Sequence, residues 1–196
     1  MTTTALLSEL EALNIMLQAA DEAPVQTAQQ AGHLPLSIAK GILNDVSRTV
    51  QSKGYAFNME YDFPLFRDVN GRITLSANCL NVDVNDEFTS VAPITRGLQL
   101  YDRKNHTDIF SIDLKATVTF LLGWDSLPQA ARNYIAIRAA RSFAVRMQTG
   151  DLTVRATQAE EDSALMALDA LEADQADANF LTDSWSCSQV LYGRET

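Results

Sequence analysis

The sequence predicts an α+β fold: an antiparallel four-helix bundle of two N-terminal and two C-terminal helices, an inserted antiparallel β-sheet region and an extended C-terminal tail. Three observations lead there. Apolar residues recur at helical spacing near both ends of the 196-residue chain. The middle switches to two-residue alternation rich in aromatic and β-branched residues. The links between those strands are short, which favours antiparallel pairing, because parallel strands need long crossovers. The expected organisation is residues 1–55 and 125–178 as a helical bundle domain, 56–124 as an inserted β domain and 179–196 as the tail.

Leu6, Leu10, Leu13 and Leu17 form one stripe and predict a helix over about residues 4–20. The loop "DEAPVQTAQQAGH" follows, broken by Pro24 and Gly32. A second helix starts near Pro35, a residue suited to a first turn. Ile38, Ile42, Val46 and Val50 give it a stripe, and Gly54 ends it.

"YAFNMEYDF" alternates as a strand does, "VNG" at 69–71 turns the chain, and "RITLS" reads as a further strand. Leu80, Val82 and Val84 alternate with Asn81 and Asp83, and "GLQLYD" is another short strand. The clearest strand spans 112–122, with Ile112, Leu114, Ala116, Val118, Phe120 and Leu122 on one face.

Helical period then returns. Ser126 and Gln129 have capping-box spacing. Ala136, Ile137, Ala140, Phe143, Ala144 and Met147 form the inner side of the third helix, and Arg132, Arg138, Arg141 and Arg146 are expected outside it. "TGD" at 149–151 breaks the chain before a fourth helix over about 153–175, whose buried side carries Ala164, Leu168 and Leu171. The last stretch has no clear period but carries Phe180, Leu181, Trp185, Val190, Leu191 and Tyr192. Apolar residues in a tail imply docking on something.

Composition bounds the function. Hydrophobic residues are 46% and charged residues 20%, as in a folded soluble protein. The N-terminus has no basic residue and no unbroken apolar core, so no secretory signal is expected. Cys79 and Cys187 stand far apart, which argues for free thiols over a disulfide framework or zinc site. The formal net charge is −10. Acids concentrate in residues 1–39 and 156–183, neither of which contains Lys or Arg. Such a balance repels a phosphate backbone.

Catalytic motifs are weak. His33 and His106 have no metal-binding companion spacing, and no Walker loop, GxSxG or GxGxxG occurs. "SIAK" at 37–40 matches SxxK but lacks its partner motifs, and Ile38 belongs to a helix stripe. "DVNDEF" lacks the glycine and closing Glu of a calcium loop. Acidic pairs such as Asp21/Glu22 and Glu160/Glu161 could serve a glycosidase, but a solvated face explains them more simply. No enzyme activity, cofactor or metal is expected.

The stretch "SLPQAARNYIAIRAARSFAVRM" holds four arginines and no acid. It admits three readings: a solvated amphipathic face, a contact with an acidic surface such as the fourth helix, or DNA contact. The chain-wide charge makes the third the weakest.

Several stretches resemble the tail tubular protein A family, the head-to-tail adaptors of short-tailed podoviruses. They are "ELEALNIMLQAADEAPVQT", "ILNDVSRTVQSKGYAFNMEYDFPL", "YDRKNHTDIF", "WDSLPQAARNYIAIRAARSFAVRMQTGD" and "QAEEDSALMALDALEADQADANFL". The second resembles a family segment reading "QSRGWTFN". They cover nearly the whole chain in order. At residues 178–181 this chain reads Ala-Asn-Phe-Leu where members often read Tyr-Asn-Met-Leu.

The resemblance implies a structural virion protein of the viral tail, assembled in the host cytoplasm. Members form a twelve-subunit ring between the portal protein and the tail nozzle protein (tail tubular protein B), continuing the channel through which DNA leaves without specific binding. It implies that the bundle forms the ring wall, the tail reaches the portal and the β region lies toward the nozzle. On this basis Arg132, Arg138, Arg141, Arg146, Phe180, Leu181, Trp185, Leu191 and Tyr192 are expected at subunit or portal interfaces. The alternative is a tail component with glycan-hydrolysing activity.

Overall fold

The computed structural model describes residues 6–29, 32–85, 87–88, 90–147 and 151–183, with side chains left out over 151–157 and 176–183. The described chain is a mixed α+β protein with four α-helices and antiparallel sheets: α1 Glu9–Ala19, α2 Leu34–Gln51, β1 Met59–Leu65, β2 Cys79–Val84, β3 Pro93–Arg96, β4 Gln99–Asp102, β5 Leu114–Phe120, α3 Gln129–Arg146 and α4 Asp151–Asp183. It divides into two compact units, residues 1–47 with 124–196, and residues 48–123.

In the first unit, α3 packs against both α1 and α4. The start of α1 is set by a capping box. Ser8 N donates to Glu11 Oε2 at 2.8 Å, and Glu11 N donates to Ser8 Oγ at 3.3 Å. The helix therefore begins at Glu9, later than the leucine spacing suggests, and Leu6 lies outside it, 53% exposed. Ala12, Leu13, Met16 and Leu17 are the buried side. The loop beyond is folded back by Asn14, whose amide donates to Val25 O at 3.0 Å and accepts from Val25 N at 2.8 Å. His33 acts locally: its Nδ1 accepts from Leu36 N at 3.1 Å in the first turn of α2.

The predicted Ser126–Gln129 box does not form. Ser126 lies in a single 3-10 turn, Trp124–Ser126, and α3 starts at Gln129 with Pro128 as its N-cap. A proline holds the preceding residue in extended backbone, so the helix cannot begin earlier. Gln129 Oε1 accepts instead from Leu7 N at 2.9 Å.

The helix α4 is longer than its apolar stripe. It starts at Asp151 and runs to Asp183, past the expected tail boundary. No Gly or Pro occurs between Gly150 and Gly193, so nothing in the local chemistry stops it.

In the second unit, β5 is the central strand of the order β1-β5-β2, antiparallel to both neighbours, and β3-β4 form a separate hairpin. Hydrogen bonding explains the departures from the alternation pattern. Residues 55–58 turn before β1 begins at Met59, and "RITLS" makes only isolated bridges, Arg67 to Ile73 and Thr74 to Gln99. Strand β5 starts at Leu114, leaving Ile112 42% exposed. Strand β3 has no counterpart in the sequence reading. Leu65, Ile73, Leu75, Leu100, Phe110, Leu114, Ala116 and Val118 form the core of this unit.

A buried polar knot ties the first residues of the second unit to its last. Gln51 Nε2 donates to Leu122 O at 3.1 Å, and Leu122 N donates to Gln51 Oε1 at 2.7 Å. Asn58 Nδ2 donates to Gln51 O at 2.9 Å and to Phe120 O at 2.8 Å, while its Oδ1 accepts from Tyr55 N at 2.8 Å. The side chains replace backbone partners that irregular chain here cannot supply, as burial demands.

Candidate assembly surfaces

The four arginines of α3 separate into two kinds. Arg132 is only 4% exposed, contrary to its expected place outside the inner side. Its Nε donates to Leu127 O at 2.9 Å, Nη1 to Leu7 O at 2.9 Å and Nη2 to Asp125 O at 2.8 Å. Trp124 Nε1 also donates to Leu7 O, at 2.9 Å. A planar fork with several donors suits three carbonyls approaching from one side. Arg132 therefore fastens the segment before α1 to the entry of α3. It is an internal clamp.

Arg138 and Arg141 reach α4. Arg141 Nη1 donates to Glu161 Oε2 at 2.9 Å, and Arg138 Nε lies 3.9 Å from Glu161 Oε1. Arg138 is steered by Tyr134, one turn earlier. Its Nη1 donates to the Tyr134 hydroxyl at 3.1 Å, and its guanidinium carbon stands 5.9 Å from the ring centroid. The contact with an acidic fourth helix thus exists within the chain, and Glu161 is its carboxylate. Tyr134 was not singled out by sequence, although its four-residue spacing from Arg138 is the available signal.

Arg146 is exposed at the end of α3. It lines a surface groove of about 440 Å³ with Arg138, Arg141, Ser142, Val145 and Glu161. Val145 is 55% exposed there. Phe180 and Leu181 have helical backbone in α4, and their side chains lie outside the described residues. Trp185, Leu191 and Tyr192 lie wholly outside them.

The second unit offers a more apolar groove of about 410 Å³, lined by Phe63, Phe66, Leu75, Cys79, Val118 and Phe120 among others. Phe63 and Phe120 meet edge to face, 5.4 Å between centroids. Burial pushes the Cys79 thiol up, against a weaker lowering from a backbone hydrogen bond of Asn81, so it is not an activated nucleophile.

The turn after β4 is organised by Asp102, 1% exposed. Its Oδ1 accepts from Ala92 N and Lys104 N at 2.9 Å each, and its Oδ2 from Asn105 Nδ2 at 2.6 Å. Burial alone raises this carboxyl, but its donors together outweigh that and hold it below the usual carboxylate range. Among the described residues, no three His, Cys, Asp or Glu side chains gather as a metal-binding cluster. No described helix is long and apolar enough to cross a membrane.

These are packing and contact surfaces, and comparison with known proteins agrees in kind. No curated protein matches the chain. The sequence profile of the family described as tail tubular protein matches residues 10–178, from α1 through both sheets and most of α4. The chain belongs to the tail tubular protein family, whose role is structural, in the phage tail.

Proposed function

We propose that the chain is the ring-forming head-to-tail adaptor of a short-tailed phage, joining the portal protein to the tail nozzle protein and continuing the DNA ejection channel. The observation that carries this reading is the family match over residues 10–178. It includes every stretch that resembles the adaptors, except the outermost residues. In this reading the helices form a four-helix bundle that makes the ring wall, and twelve copies close the ring. The C-terminal residues dock on the portal, and the β-strands lie toward the nozzle.

Electrostatics support a conduit over a DNA-binding module. The net charge of −10 repels phosphate. Arg138 and Arg141 are already engaged with Glu161, and Arg132 with backbone carbonyls. Assembly is the mechanism: complementary surfaces meet in sequence and leave a channel open.

The test is the mass of the particle formed by purified protein with and without purified portal, read by light scattering and electron microscopy. A closed ring on the portal is expected. Failure to join the portal under any salt condition overturns the adaptor reading.

A further inference from the structure

Among the described residues, the groove beside α3 brings together more cationic than anionic side chains. Three guanidinium groups line it, from Arg138, Arg141 and Arg146, against the single carboxylate of Glu161. Among the described residues, the ion pairs in the groove are Arg138–Glu161 and Arg141–Glu161. Val145 stands among these cations, 55% exposed.

The outer side of α4 has the opposite character. Ala164 and Leu168 are buried and define the inner side. Asp162, Met166 and Asp169 follow one another at intervals of four and three residues, and all three are exposed. At 3.6 residues per turn they fall on the face away from Ala164. Met166 is 73% exposed, a large apolar side chain between two carboxylates. At the helical rise of ~1.5 Å per residue, Asp162 and Asp169 stand about 10 Å apart along the axis, and Arg138 and Arg146 about 12 Å apart.

We propose that the α3 groove of one subunit receives the Asp162–Met166–Asp169 stripe of a second copy. Carboxylates meet guanidinium groups at both ends, and Met166 covers Val145 between them. The occupant is a second copy because its stripe matches the groove in sign, spacing and apolar centre. The same groove cannot pair with itself, since that would set arginines against arginines. The two surfaces differ, so each subunit uses both, and a head-to-tail contact of this type closes into a ring when its rotation permits. The inference rests on the proposed ring and names the contact that builds it.

The test uses two full-length variants, Arg146→Glu and the double variant Asp162→Lys/Asp169→Lys. None of these residues takes part in the recorded ion pairs between α3 and α4. Circular dichroism and thermal melting confirm that each is folded. Each alone is expected to lose the ring-sized particle that wild type forms on the portal. An equimolar mixture is expected to recover it, because reversed charges then face one another. Separate chains carrying Val145→Cys and Met166→Cys, each with Cys79 and Cys187 replaced by serine, are expected to form a disulfide-linked dimer when mixed with copper phenanthroline as oxidant, and neither chain alone.

Full assembly by both charge variants overturns the contact and leaves the adaptor reading standing. Cross-linking of the Val145→Cys chain with itself also overturns it. If Arg146→Glu leaves assembly intact but abolishes retention on DNA at low salt, the groove serves nucleic acid and the proposal fails. If wild type itself never assembles with portal, both readings fall together.

Discussion

Arg132 shows how one side chain can be misplaced by an incomplete reading of its own helix. Arg132 and Phe143 are eleven residues apart, about three turns, so they share a face. That spacing puts the arginine on the flank of the buried side, and its burial follows. The guanidinium is tolerated there because three carbonyls accept from it. Replacing Arg132 by Met keeps much of the aliphatic bulk and removes every donor. The expected loss of stability is about 2–4 kcal/mol, read as a lower denaturant midpoint at unchanged m-value. Lysine should rescue poorly, since one ammonium cannot span three carbonyls in a planar fork. Full stability in Arg132→Met would show that the clamp contributes nothing.

At the scale of elements, boundaries were decided by polar chemistry that apolar periodicity does not register. The Ser8–Glu11 box starts α1, Pro128 delays α3, and the absence of a breaker lets α4 run to Asp183. The β3–β4 hairpin and its following turn depend in the same way on the Asp102 carboxylate. Its folded pKa lies below the ordinary value of 3.8. The stability it contributes is therefore present above that value and lost as pH falls through the lowered folded pKa. Asp102→Asn should flatten the acid limb of the stability profile relative to wild type, measured by denaturant midpoints on stepwise acidification. Parallel acid limbs in the two proteins would remove Asp102 from the account.

For the whole molecule, the family match ends at residue 178 and α4 continues to Asp183, so a clean truncation falls after the helix. Removing residues 184–196 is expected to leave the melting temperature within about 2 °C, because the ends of a chain commonly contribute least to its global stability. Portal binding is expected to fall below detection in a pull-down. Undiminished binding by the truncated chain would place the portal contact elsewhere.

The sequence by itself determined that the protein is mixed α+β, with four helices and antiparallel sheets, and that it is a tail tubular protein. These follow from local period and from family-like stretches in order, and both are properties of neighbouring residues. Only the tertiary structure decided which arginine is buried, which carboxylate meets the others and how buried polar side chains close the second unit. The reason is separation along the chain. Arg132 meets a carbonyl 125 residues away, Arg141 a carboxylate 20 away and Gln51 a backbone pair 71 away. No periodicity encodes such partners, because folding alone brings them within hydrogen-bonding distance.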